Sequence, residues 1–210
     1  MAMKKNRDHT TEQRILEAAE KLFYERGYAM THTTDIAREV GCNQALVHYY
    51  FRTKERLFES FFENKIKLFI GALANSGNDE SDFESKLRKK IEAHYDIIRK
   101  HPRLPFLLFN ELSTNSKKIS EYKAKLGDTP AQLLESFDKE LKEQAEKGNI
   151  IEIGALDLIA TIISLNAILF IAAPIFRALS NSTEKDYEKI LDRRKELNVD
   201  IVLKYLKPAL

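Results

Sequence analysis

Long stretches of this chain run without glycine or proline, and through most of them the apolar residues recur at helical rather than alternating spacing. With 7 Gly and 5 Pro in 210 residues, few positions can stop a helix, so the predicted class is all-α. A 43% hydrophobic content is enough to bury a core and excludes a disordered chain.

Punctuation divides the first quarter of the chain into short pieces. Thr10 to Arg26 reads as a helix, with Thr10 and Gln13 at capping-box spacing and Ile15, Leu16, Ala18, Ala19, Leu22 and Phe23 on one face. Gly27 stops it. Thr33 to Val40 reads as a second helix with Ile36, Ala37 and Val40 inward, and Gly41 supplies a left-handed turn. Asn43 then caps a third helix, Gln44 to Tyr50, with Leu46 and Val47 packed and Gln44, Ala45, His48 and Tyr49 outward. Two short helices about a glycine turn, braced by a longer one, make a helix-turn-helix. Tyr28, Val47 and Phe51 are its expected core.

Beyond Thr53, a plausible cap, a long helix is expected from Glu55 to Ala74, leading from head to body. Further helices are expected over Asp82 to Lys100, Leu104 to Leu112, Lys118 to Lys147 with a break near Pro130, Ala155 to Ile171, and Thr183 to Leu206. Leu158 to Ala173 is apolar, but it contains Thr161, Ser164 and Asn166, is closed by Pro174, and falls short of the roughly 20 residues a membrane span needs. A buried helix is predicted there, and no membrane partner.

Charge and chemistry narrow the function. The net charge is +2, and the excess of basic over acidic side chains lies entirely before Leu57, which permits nucleic-acid binding without establishing it. The single cysteine, Cys42, excludes an internal disulfide and a Cys-pair zinc site, and suits a reducing cytoplasm. No apolar stretch follows Lys4 and Lys5, so no signal peptide is readable. His32, Cys42 and His48 match no common zinc spacing, and no metal or cofactor is expected. For an all-helical enzyme, His94, His101, Asp79, Glu80 and Asp82 supply titratable groups. There is, however, no glycine-rich phosphate loop, nucleophile elbow or carboxylate-metal motif, and the acidic cluster fits a solvated loop.

The run from Gly27 to Phe58 sets Ile36-Ala37, Gly41, Tyr49-Tyr50-Phe51 and Lys54-Glu55 in a fixed register. Together with the preceding Ile15-Leu16-Glu17-Ala18-Ala19-Glu20-Lys21-Leu22-Phe23, it closely resembles the DNA-binding domain of the TetR (tetracycline repressor) family, over about a quarter of the chain. The resemblance implies a head, 1–56, that binds operator DNA, and a larger helical body, 57–210, that binds a small molecule and dimerises. It implies that the third helix enters the major groove. Asn43, Gln44 and Ala45 would then face base edges, since glutamine can bond adenine and alanine can touch a thymine methyl. Thr33, Thr34, Tyr49 and Lys54 match positions the family uses for phosphates. His48 stands where many relatives carry an aromatic, as either a DNA contact or a half-exposed packing residue. His32 and Cys42 also depart from the pattern, Cys42 replacing a common valine as a small core residue.

For the body the resemblance lies in helix order and in the ending from Tyr187 to Leu203. It implies a homodimer sealed by the last two long helices, with Ile162, Leu165, Leu169, Ile201 and Tyr205 either at that interface or in the intrachain core. It implies an apolar or amphipathic effector whose pocket could draw on Tyr95, Phe106, Phe109, Asn110, Phe137 and Asn166, the aromatics serving equally well as core. Asn166, an amide in so apolar a helix, needs a partner: a ligand, a symmetry mate or a neighbouring carbonyl. The implied function is a cytoplasmic repressor released from a palindromic operator by its effector. A helical carrier that had lost DNA binding is the rival, and the presence of Thr33, Gln44, Tyr49 and Lys54 argues against it.

Overall fold

The computed structural model describes residues 2–80, 82–114, 120–121 and 124–208, and within these every regular element is a helix. The helices are α1 (Ala2–Arg26), α2 (Thr33–Val40), α3 (Gln44–Phe51), α4 (Lys54–Asn75), α5 (Phe83–Lys100), α6 (Leu104–Thr114), α7 (Thr129–Glu146), α8 (Ala155–Ile171), α9 (Ala173–Ser180) and α10 (Glu184–Leu206). They pack as two units, Met1–Lys67 and Leu68–Leu210. The break falls within α4, later than residue 56, because Leu57, Phe58, Phe61 and Phe62 are all buried with the first unit's aromatic residues.

In the head, Ile15, Ala19, Leu22 and Phe23 of α1 meet Ile36, Ala37 and Val40 of α2 and Val47 and Phe51 of α3, all buried. Phe23 packs edge-on to Phe58 at 5.0 Å and lies 5.8 Å from Phe61. α1 starts at Ala2 and runs through Thr10, so the expected cap at Thr10 is an ordinary helical position. Met1 to Asn6 contain no glycine or proline to break the helix, and Gln13 bonds Glu17 one turn on rather than a chain end. Gly41 is left-handed at φ 73°, and the N–H groups of Gly41 and Cys42 close on the carbonyls of Arg38 and Ala37. Arg14 reinforces this end by donating to the Val40 carbonyl at 2.8 Å. Thr31 is wholly buried, its hydroxyl 2.8 Å from the Gly27 carbonyl oxygen.

The body holds two apolar clusters. One joins Leu87 and Ile91 of α5, Leu141 of α7, Leu158 and Ile162 of α8, and Val199, Val202 and Leu203 of α10. The other gathers Tyr95, Ile98, Ala167, Phe170, Tyr187 and Leu191. Ile162 is 3% exposed within this core, which removes it from the expected interface residues. Pro174 does not end the apolar segment: it sits in the first turn of α9, where a missing N–H costs nothing, and the axis bends by 67° between α8 and α9. Pro130 likewise occupies the first turn of α7. Of the helix expected from Lys118, residues 118, 119, 122 and 123 lie outside the described residues. No single described helix is long and apolar enough to cross a membrane, and α8 buries Leu158, Ile162, Ala167 and Phe170.

Gly77 has φ 75°, and a Cβ placed on it would stand 2.7 Å from the Lys86 carbonyl oxygen. Gly77→Ala should therefore destabilise the body by about 1–3 kcal/mol, from backbone strain plus a backbone clash. Urea unfolding followed by circular dichroism checks this, and a neutral substitution would show that this turn yields.

Candidate nucleic-acid interface

α3 is set by its two ends. At the start, the Asn43 side chain accepts the Ala45 N–H at 2.9 Å, the cap its sequence position predicts. At the finish, Arg52 adopts φ 63° and ψ −56°, and the Thr53 N–H reaches the Phe51 carbonyl at 2.6 Å. That is a γ-turn, a strained conformation for a residue with a side chain. The Thr53 hydroxyl then accepts the Arg56 N–H at 3.2 Å, opening α4.

Between these ends the side chains separate by face. Val47 and Phe51 are buried, while Ala45, His48 and Tyr49 are exposed and Gln44 is half-buried. Leu46, expected to pack, is 40% exposed. An eight-residue helix has room for one apolar stripe, and Val47 and Phe51 one turn apart occupy it.

Two of the expected base-edge and phosphate residues, Gln44 and Thr33, meet here together with His48. Gln44 Nε2 donates to Thr33 Oγ1 at 3.1 Å and lies 3.3 Å from His48 Nε2. His48 Nδ1 lies 2.9 Å from the Arg52 carbonyl oxygen. Thr33 accepts from Gln44, so its own proton is left to donate outward. Thr34 is exposed at the start of α2, and the Tyr49 ring, 66% exposed, stands edge-on to Tyr50 at 5.1 Å. In α2 itself, His32 precedes the first turn and its backbone N–H donates to Asp35 at 3.3 Å.

Lys54 is more tied down than its sequence position suggests. Its ammonium donates to the Tyr28 carbonyl at 3.1 Å and sits 4.3 Å from the centre of the Tyr28 ring. The Tyr28 hydroxyl in turn donates to Glu55 at 2.7 Å, and this bond holds the Glu55 carboxyl below its ordinary range. Tyr28 is thus half-buried in a clamp rather than enclosed in the core. Cys42 is half-buried, and no group of three or more potential ligands is placed to hold a metal ion among the described residues.

The expected effector residues do not converge. Tyr95 is buried with its hydroxyl 2.5 Å from the Leu191 carbonyl oxygen, and Phe137 packs on the larger cluster of the body. Phe106 and Phe109 are 56% and 65% exposed, and Asn110 is exposed beside them. Asn166 finds its partners inside: its Nδ2 donates to the Ile91 carbonyl and lies 3.0 Å from His94 Nδ1, while its oxygen accepts from Asn198 at 2.8 Å. The sequence carries no signal that His94 and Asn198 meet Asn166, because nothing in helical spacing reveals a three-helix polar contact. A cavity of about 280 Å³ opens elsewhere, between the start of α5 (Asp82, Phe83), the Gln144 to Ile150 turn and the end of α10 (Leu203, Lys207).

Residues 15–61 match the model of the bacterial regulatory proteins of the tetR family. The chain is 24% identical over 138 residues to the fatty acid metabolism regulator protein of Bacillus subtilis, covering 66% of this chain and 70% of that one. It is 32% identical over 101 residues to the transcriptional repressor NicS of Pseudomonas putida, about half the length of each (48%). The fold matches a TetR-family transcription regulator from Marinobacter aquaeolei with TM-score 0.71 and 21% identity, over 98% of this chain and all of that one. These relatives are named as regulators of metabolism or transcription. An outward-facing α3, a family match over residues 15–61 that covers it, and a fold shared along the chain agree: the head is a DNA-binding domain of the tetR type, and the protein a DNA-binding transcriptional regulator.

Proposed function

We propose that the protein is a homodimeric repressor in the cytoplasm that holds a palindromic operator and lets it go when the body binds an apolar or amphipathic small molecule. The observation that carries the DNA roles is the joining of Thr33, Gln44 and His48 at the surface of α2 and α3, with Ala45 and Tyr49 exposed and Val47 and Phe51 turned inward. In this reading Gln44 and Ala45 touch base edges, Asn43 caps α3 beside them, and Thr33, Thr34, Tyr49 and Lys54 meet phosphates. Selection of bound fragments from genomic DNA tests it, with an inverted repeat expected.

Single substitutions separate the roles. Gln44→Ala should cost about 1–3 kcal/mol on the preferred site and leave non-specific binding nearly intact. Lys54→Ala should weaken binding on all sequences and reduce the salt slope by about one. It should also loosen the head, because Tyr28 loses the ammonium that donates to its carbonyl and packs over its ring. Indistinguishable behaviour of the two variants across sequences and salt would defeat the assignment.

The dimer reading is supported by a stripe on α10, where Leu197, Ile201 and Tyr205 follow at four-residue spacing and are 41%, 37% and 55% exposed. Leu165 and Leu169 are partly buried against their own chain's clusters and contribute less freely. Ile201→Glu should dissociate the protein at micromolar concentration and weaken operator binding with it. A light-scattering mass of one chain for the unsubstituted protein would overturn the dimer. For the effector, the named role of the Bacillus subtilis relative in fatty acid metabolism favours an acyl-chain compound. Phe106, Phe109 and Asn110 on α6 are the residues that remain open to it. Linkage requires that such a ligand weaken DNA binding by the factor by which DNA weakens ligand binding.

A further inference from the structure

The Gln44 carboxamide is held from behind. His48 Nδ1 stands 2.9 Å from the Arg52 carbonyl oxygen, and a carbonyl only accepts, so in the neutral ring Nδ1 carries the proton and Nε2 the lone pair. Gln44 Nε2, 3.3 Å from that lone pair and 3.1 Å from Thr33 Oγ1, thus has a partner for each of its two protons. Reversing the amide would set its oxygen against the His48 lone pair. The Arg52 carbonyl that orients the ring belongs to the γ-turn, so the arrangement is anchored in backbone. Among the described residues, the Gln44 carboxamide oxygen, an acceptor, is the group of that side chain left without a partner.

We infer that His48 is a positioning residue that aims the Gln44 carboxamide oxygen at the base edges, so that Gln44 selects an exocyclic amino group, adenine N6 or cytosine N4, without using purine N7. A freely rotating glutamine would instead grip adenine through N6 and N7 together. The inference rests on the DNA-binding role of α3 and deepens it. It also gives His48 a role through Gln44, in place of a base or phosphate contact of its own.

The test uses the full-length protein and duplexes carrying its selected site. The base read by Gln44 is located as the position where Gln44→Ala loses discrimination. An adenine there is replaced by purine, which lacks the N6 amino group, or by 7-deazaadenine, which lacks N7; a cytosine is replaced by 2-pyrimidinone. Removing the amino group should weaken binding about tenfold, whereas 7-deazaadenine should change it by less than about twofold. His48→Phe, at an exposed position where the fold should survive, frees the amide. Discrimination at the Gln44 position should then shrink about fivefold and sensitivity to 7-deazaadenine should appear, while His48→Gln, which can still accept, restores the original pattern. Thermal melting of both variants verifies that the head is folded. An equal response to both analogues in the unsubstituted protein, or a change at a different base pair in His48→Phe, overturns the inference and leaves DNA binding standing. Absence of any sequence-specific binding overturns both.

Discussion

Replacing Asn166 with alanine should remove about 3–5 kcal/mol from the stability of the body, because one deletion leaves two buried side chains short of a partner and takes the side-chain donor from a helix carbonyl. The Ile91 carbonyl loses a donor at 3.0 Å, His94 Nδ1 loses the N–H it accepts, and Asn198 loses the acceptor for one of its protons. All three side chains in this contact are at most 3% exposed, so water cannot readily replace what is lost. Each stranded group costs about 1–3 kcal/mol, and they act as one network rather than additively. Thr161→Ala on the same helix is the control, since its hydroxyl bonds only the Asp157 carbonyl at an exposed position. Urea unfolding by circular dichroism should separate the two widely, and near-equal midpoints would mean that the network contributes little.

Acid should act on the same place. Burial holds the His94 ring down to about 4 from an ordinary 6.5, and its Nδ1 faces the Asn166 amide while the Phe69 ring packs edge-on at 5.3 Å. The unfolded ring takes up its proton near pH 6.5 and the folded ring only near 4, so the stability tied to the neutral ring is complete above 6.5. It falls as pH drops through that window, by on the order of 3 kcal/mol in all. His94→Gln removes the titration and should flatten the fall in unfolding free energy between pH 7 and 4.5. Parallel pH curves for the two proteins would show that His94 is not responsible.

How much of this could be read beforehand varies with the distance over which the cause acts. Asn43, Gly41 and Thr53 act on the next few peptide groups, and the structure finds the first two where the spacing puts them and Thr53 capping α4. α8 runs from Ala155 to Ile171 as the spacing predicts, but α9 directly after it is not legible beforehand, because Pro174 reads as a stop although proline is as acceptable in a first turn as it is disruptive in an interior. Leu46 and Ile162 show the limit of periodicity: it sorts faces of a helix but not which neighbour covers them. The Gln44 and His48 contact had a signal, i and i+4 on one helix, whereas Thr33 joins it only through the turn between α2 and α3. Asn166 on so apolar a helix needs a partner, yet the choice among ligand, symmetry mate and neighbour is decided by α5 and α10, which no local rule brings together.

The γ-turn at Arg52 also limits how much information one head can extract. Stopped after eight residues, α3 is about 12 Å long, which spans about three to four base-pair steps of the duplex. Four base pairs read without error recur by chance about once in 256 positions, and two such half-sites about once in 65,000, while a genome offers on the order of a million or more competing positions. Contacts from α3 alone would therefore leave tens of false addresses. The remaining bits have to come from the spacing between half-sites and from the ease with which the intervening DNA deforms. Substitutions in base pairs that no side chain reaches should consequently still alter where this protein settles.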